Sequence, residues 1–277
     1  MELSESNYFD PGSDRHWMSA SQVKRFLQCE AQALAELYGI TTREETTALL
    51  IGSCVDAHFS GVMNDFLASH KPQVYTRTGG FRAEFQQAMD IITLLENDDL
   101  LHRMLQGETQ KIVTGEIAGI PFKGKIDSLL SSTQCEVIAD SYPEMAETLL
   151  MADGAIADLK VMRDMAPVWV KGAGRQSFVQ AWHYDLQLAI YQKLLGQKLP
   201  CFLVVATKEK NPDKALIHIP QYMLDAAWEM VEPMLSRFQE IKAGLTEPTM
   251  CGECAWCRRE KMVTGPVDAD ELEGAGL

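Results

Sequence analysis

The chain has 277 residues, enough to bury a sizeable core as one large domain or two small ones, with the 46% hydrophobic and 23% charged content of an ordinary globular protein. A formal net charge of −14 excludes indiscriminate coating of nucleic acid, because phosphate neutralisation supplies most non-specific affinity, but it leaves room for a local basic channel. No apolar run approaches the roughly 20 residues that span a bilayer, and "MELSESNYFDPGSDRH" is acidic and polar rather than a signal peptide, so the expected location is cytoplasmic.

Residues 1–17 read as a flexible N-terminus. "SASQVKRFLQCEAQALAELYG" then opens with a capping serine and places Val23, Phe26, Leu27, Leu34 and Leu37 at helical spacing until Gly39 stops it. Helices are also predicted in "EETTALLIGSCVDAHFSGVMNDFLAS" and "FRAEFQQAMDIITLLENDDLLHRML", which makes the part from 18 to 106 mostly helical. The character then changes. "KIVTGEIAG" and "IPFKGKIDSLL", a hairpin through Gly119, and later "AIADLKVM", "CFLVVATKEK" and "KALIHIPQ" read as strands. The stretch 131–154 leaves a short strand and a helix both open. "FVQAWHYDLQLAIYQKLLG" is an amphipathic helix ended by Gly196, and Pro233 should kink or restart the last one, "YMLDAAWEMVEPMLSRFQEIKAG". This order predicts an α/β fold, a mixed central sheet flanked by helices. The expected limits are one domain over 18–261, with a core at 110–245, a Cys-rich segment at 249–261 and a flexible acidic tail at 262–277.

The strand "IADLKVM" carries an acid and a lysine two positions apart. Side chains alternate across a strand, so Asp158 and Lys160 project from one face with Ile156, their Cα atoms roughly 7 Å apart. A surface ion pair on an edge strand is the bland explanation. Upstream, "FKGKIDSLL" offers Asp127 on a second strand. Two carboxylates on neighbouring strands with a lysine beside one of them suit metal-assisted phosphodiester cleavage. Mg²⁺ takes oxygen ligands and keeps several waters, so one or two carboxylates plus a substrate phosphate suffice.

"GKID", "IADLK" and "QLAIY", in this order, resemble the PD-(D/E)xK nuclease superfamily and its RecB-like branch. The resemblance makes Asp158-Leu159-Lys160 the D-x-K element and Asp127 the preceding aspartate. Gln187 and Tyr191 match the branch's Q-x-x-x-Y element, one helical turn apart, and His58 in "GSCVDAHFSG" matches its metal-site histidine. It implies a restriction-endonuclease-like core, Asp127, Asp158, Lys160, Gln187 and Tyr191 as catalytic residues, and Mg²⁺ or Mn²⁺ on His58, Asp127 and Asp158. This sequence departs from the pattern in having Asp158 where many relatives have Glu, no proline before Asp127, and a long interval between the two acids. Glu116 is an alternative acid, read here as a hairpin charge. Taken singly, His58 could be a core histidine, and Gln187 and Tyr191 the half-buried face of a helix.

"CGECAWC" spaces Cys251, Cys254 and Cys257 so that three thiolates reach one centre. Cys54, Cys135 and Cys201 are dispersed and read as small buried hydrophobes. The resemblance supplies Cys29 as a fourth ligand, since some relatives bind an Fe–S cluster through one cysteine before the nuclease core and three after it. A [4Fe–4S] cluster and Zn²⁺ both accept four cysteines, and the consecutive two-residue gaps favour iron. Three reduced cysteines without a metal are the bland alternative.

Likeness to phage and prophage RecE-type exonucleases, of the exodeoxyribonuclease VIII kind, extends from about Met18 to Arg259. It implies a Mg²⁺-dependent exonuclease on double-stranded DNA ends, 5′ to 3′, serving phage-type recombination in a bacterial host cell. An annealing-protein partner and a homo-oligomeric ring follow from the same likeness. The rivals are a structure-specific endonuclease on this scaffold and a non-catalytic, metal-stabilised subunit that binds DNA or a partner.

Overall fold

The computed structural model describes residues 2–42 and 44–266, so positions 267–277 of the expected acidic tail lie outside the described residues. Contacts divide the chain into two compact units. One comprises 1–43, 118–121 and 232–277, and the other 44–117 and 122–231.

The second unit is built on a mixed sheet. Its strands are β1 (Glu108–Ile117), β2 (Ile120–Ser131), β3 (Gly154–Met162), β6 (Cys201–Thr207) and β7 (Lys214–Ile219), and a separate small hairpin supplies β4 (Val168–Val170) and β5 (Gly174–Gln176). The β1–β2 turn places Ala118 and Gly119 at φ 52° and 76°, the left-handed pair that a tight hairpin requires. β2 runs antiparallel to β3 with Ser128 opposite Ala157, β3 runs parallel to β6 with Asp158 beside Leu203, and β7 closes the order antiparallel to β6. A parallel β3–β6 pair needs a crossover, and the helix Tyr184–Leu195 lies within it. β3 is therefore internal, which removes the edge-strand explanation for its charged pair. A strand covered on both faces reads as a nearly continuous apolar run, and every residue of β6 is buried.

The two faces of β3 differ. Ala155, Ala157 and Leu159 join Phe202, Val204 and Ala206 in a core closed by Leu50, Ile51 and Val55 of the helix Thr47–Phe59 and by Phe85, Ile92 and Leu95 of the helix Ala83–Glu96. Alternation sends Ile156, Asp158 and Lys160 to the opposite face, where the Tyr184–Leu195 helix lies. That helix approaches β2 closely because Gly124 has no side chain: a Cβ there would stand 3.0 Å from the Tyr191 ring and from Leu194.

Several predicted helices are each two. Gly61, at φ 77°, separates Thr47–Phe59 from Met63–Ser69, and Asp98 ends the run of Ala83–Glu96 by capping Asp99–Met104. His183, at φ 52°, divides Phe178–Ala181 from Tyr184–Leu195. Pro233 sits in a 3₁₀ turn, Glu232–Met234, between Gln221–Val231 and Leu235–Lys242, so the chain restarts there as expected. The open stretch 131–154 is helical, Ser132–Ser141 and Ala146–Leu149, and begins with a capping box between Ser131 and Gln134.

In the first unit the predicted single helix breaks at Cys29. Its extended backbone, φ −165° and ψ 112°, ends Ala20–Gln28 and begins Glu30–Leu37. Phe26 stacks on Phe238 at 5.2 Å. Arg237 grips Glu30 with two bonds of 2.8 and 2.7 Å. The buried Lys242 ammonium donates to the carbonyls of Asp14 and Trp17 and to Gln22 Oε1, so its charge is solvated by the chain.

Candidate active site and metal centre

Where the β2–β3 ladder opens, Asp127 stands next after the Ser128–Ala157 pair, and its Oδ2 accepts the Leu159 N–H at 2.9 Å. Asp158, fully buried, contacts the Lys160 ammonium through Oδ2 and accepts Gln187 Nε2 at 2.8 Å through Oδ1. Gln187 Nε2 also lies 3.0 Å from the Tyr191 hydroxyl, which donates to the Lys125 carbonyl at 2.8 Å. The one-turn spacing of Gln187 and Tyr191 thus ties their helix to β2 and β3 together. Lys160 Nζ is held by the Leu159 carbonyl at 3.2 Å and by the Tyr184 ring, 5.3 Å away.

Burial pushes the Asp127 carboxyl well above its ordinary range, and the charges of Asp158 and Asp56 add to the push against the pull of Lys160. Burial alone would lower the Lys160 ammonium, but Asp158 and Asp127 outweigh it and hold it above its usual value. Asp56 is raised as well, by burial first and then by Asp158, against Lys160 and Lys125. Carboxylate oxygens such as those of Asp127 and Asp56, each raised by burial and by the acids near it, are donors of the kind that a hard divalent cation such as Mg²⁺ or Mn²⁺ takes.

Asp56 is the acid that sequence reasoning passed over. The structure places His58, the expected histidine ligand, on the Glu96 carboxylate at 2.8 Å, and brings Asp56 into the field of Asp127, Asp158 and Lys160. Residues two apart on a helix face roughly opposite ways, so only one of the two can face the acids. Gly52, one turn before Asp56, lies against Val161 of β3, which identifies the sheet-facing stripe. That small residue was the available signal. Gln110 Nε2 orients Asp56 at 3.2 Å. Glu116, the alternative acid, is exposed near the end of β1.

The four expected cysteine ligands converge. Sγ atoms of Cys29, Cys251, Cys254 and Cys257 all lie within 4.8 Å of one another. Cys29 stands 3.4 Å from Cys257 and 3.7 Å from Cys254, and Cys251 stands 3.8 Å from Cys257. The N–H groups of Cys254 and Cys257 point at Cys251 and Cys254 sulfurs, at 3.3 and 3.4 Å. Burial works against ionising Cys251, but the backbone donors of Cys254 and Glu253 bring its thiol down to about 6, whereas burial pushes Cys254 up to about 12. Tetrahedral zinc with bonds of about 2.3 Å sets its sulfurs about 3.8 Å apart. A four-iron cluster interposes its irons and sulfides and spreads the thiolates further. The spacing therefore suits a single tetrahedral ion better than the iron cluster favoured on sequence. Cys54, Cys135 and Cys201 are buried and free, as read.

A mixed sheet that presents Asp127, Asp158 and Lys160 on one face under a Gln-x-x-x-Tyr helix defines a PD-(D/E)xK nuclease-like protein. The chain belongs to the family described as "PDDEXK-like domain of unknown function (DUF3799)", which matches residues 19–140 and 145–260. It is similar to a crystal structure of a protein from Eubacterium rectale whose description reads "Putative exonuclease", at 34% identity and TM-score 0.84 over 100% of both chains. No curated protein matches it. Among the described residues no helix is long and apolar enough to cross a membrane.

Proposed function

We propose that the protein is a Mg²⁺-dependent DNA exonuclease acting on double-stranded ends. The observation that carries this reading is the buried Asp158, held between the Lys160 ammonium and Gln187 with Asp127 across the ladder. A nuclease-like fold retains such a costly arrangement of buried charge where it serves chemistry. Asp127 and Asp158, with Asp56 in place of the expected His58, would hold the metal, whose chemistry is to acidify a bound water and neutralise the phosphate. Lys160 lies where it can stabilise charge developing on the phosphate and orient the attacking oxygen. Gln187 fixes the Asp158 carboxylate, and Tyr191 fixes Gln187, so both position the site. The exonuclease mode draws support from the Eubacterium rectale neighbour's description. A 5′ to 3′ polarity and a role in phage-type recombination rest on the RecE-type likeness.

The test is digestion of end-labelled linear duplex DNA beside a covalently closed circle of the same sequence, with and without Mg²⁺. Loss of the linear DNA alone, only with metal, is expected, and the rate should fall with rising salt as counterions compete for phosphate. Prompt nicking of the circle would replace this reading with an endonuclease. Binding of both DNAs without cleavage would replace it with a non-catalytic subunit.

A further inference from the structure

Beside the acids, a cavity of about 570 Å³ lies between the end of β3 and the β4–β5 hairpin, lined by Met162, Asp164, Pro167, Trp169, Trp182 and Tyr184 among others. Its volume is in the range of sites that enclose a small organic ring system, which runs from roughly 300 to 1,000 Å³. Its walls are unusual for a surface. Trp169 is 77% exposed and Trp182 47% exposed, although large indoles are ordinarily well covered. The short hairpin presents Trp169 directly opposite Arg175, so indole and guanidinium share a face. Trp182 and Tyr184 flank His183, whose left-handed backbone, φ 52° and ψ 44°, is costly for a residue with a side chain. Both residues line the cavity, and the Tyr184 ring also lies 5.3 Å from Lys160 Nζ.

From this geometry we infer that the cavity receives an unpaired nucleobase of the DNA strand being cut, stacked on Trp169 and Trp182, one step from the phosphate at Lys160. The inference rests on the nuclease reading. Charge decides between base and phosphate as the occupant. Asp164 puts a carboxylate on the lining, its Oδ1 accepting the Ala166 N–H at 3.0 Å and its Oδ2 paired with Arg163 at 2.6 Å, so the guanidinium there is already engaged and offers phosphate little. Arg163 lines the cavity beside Asp164 with most of its side chain, 91% exposed, turned to solvent, and Arg175 is exposed on the hairpin. Aromatic rings with a paired guanidinium among them suit a flat neutral base whose flanking phosphates remain in solvent. Stacking of this kind accepts every base, because each has a π-face, so the cavity would hold a frayed end without reading its sequence.

The experiment uses the full chain without Mg²⁺, titrated with a short single-stranded oligonucleotide while tryptophan fluorescence is followed. Stacking should quench the fluorescence. Trp169→Ala should remove most of the quench and weaken binding about tenfold, whereas Trp169→Phe, which keeps a ring, should bind nearly as the parent does. An oligonucleotide with abasic positions should bind the parent as weakly as the intact one binds Trp169→Ala. Equal binding of abasic and intact oligonucleotides, or parent-like quenching in both Trp169→Ala and Trp182→Ala, would overturn the inference by showing that only phosphates are held. The two readings fail separately. A parent protein that cleaves duplex ends while the tryptophan variants bind unchanged loses the cavity and keeps the nuclease. One that quenches on intact DNA and cleaves nothing keeps the cavity and loses the enzyme.

Discussion

Asp158 and Lys160 are each other's solvent. With side-chain exposures of 1% and 18%, neither reaches enough water to be stable alone, so removing one leaves the other as an uncompensated buried charge. Asp158→Ala should therefore lower stability by about 3 kcal/mol as well as abolish cleavage. Adding Lys160→Met should restore most of the stability, measured by urea denaturation, without restoring any activity. Recovery of neither property would show that the pair is not coupled in this way. Lys160→Ala alone should cost on the order of a hundredfold or more in rate, the usual scale for losing a charge aimed at the transition state. The contrast between Asp56 and His58 is sharper. Asp56→Ala should reduce the cleavage rate at saturating Mg²⁺ and weaken metal dependence, whereas His58→Ala, which loses its bond to Glu96 and its ring contact with Phe59, should cleave at close to the parent rate. The opposite order in a metal titration would return the ligand role to the histidine.

At the scale of elements, the breaks between helices matter more than the helices themselves. Asp98 stops one helix and caps the next by accepting the Leu101 N–H at 3.1 Å, and it binds Lys214 of β7 at 2.7 Å. Asp98→Ala should cost about 1 kcal/mol, the usual worth of an N-cap. Burial raises the Asp98 carboxyl, but the Lys214 bond and the Leu101 donor outweigh it and leave it below its ordinary value. A carboxyl depressed in the folded state contributes stability that is fully present above its unfolded pKa, about 4, and is lost as pH falls through the lower folded value. Denaturation of parent and Asp98→Asn at neutral pH and in acid should show the difference between them shrinking in acid. A difference that stayed constant would show that the carboxylate charge contributes nothing. Cys29 is the other such break. A continuous helix over 20–37 would have buried its side chain along the apolar stripe, and the extended residue instead turns the sulfur to meet Cys254 and Cys257.

For the molecule as a whole, the thiolate centre joins segments from the two ends of the chain within one compact unit. Because four thiols assemble only when that unit is folded, binding energy at the site is also folding energy. Purified protein should carry one equivalent of zinc by elemental analysis and no visible absorbance, and Cys254→Ser should lose the metal and melt several degrees lower. A brown protein with iron and inorganic sulfide would reject the single-ion reading and keep the site. Metal-free protein of full stability would reject both.

The sequence by itself determined the α/β class and the five main strands, and it was resemblance to a family pattern that grouped Asp127, Asp158, Lys160, Gln187 and Tyr191 as one expected constellation. Local rules supply two of its pairings: alternation puts Asp158 and Lys160 on one face, and a four-residue step puts Gln187 over Tyr191. It also named the four cysteines, three from their spacing and one by resemblance. Only the tertiary structure decided that β3 is internal, since pairing partners lie far along the chain and no local pattern records them. The same holds for which side of the helix shared by Asp56 and His58 meets the sheet, since no local pattern records it. It holds for the breaks at Cys29, Gly61 and His183 as well, where packing and turn geometry overrode a helical pattern that runs through them. The β4–β5 hairpin with Trp169 was illegible for the opposite reason. Each strand has three residues, too few for a period of two to rise above chance, and its meaning lies in the cavity it closes.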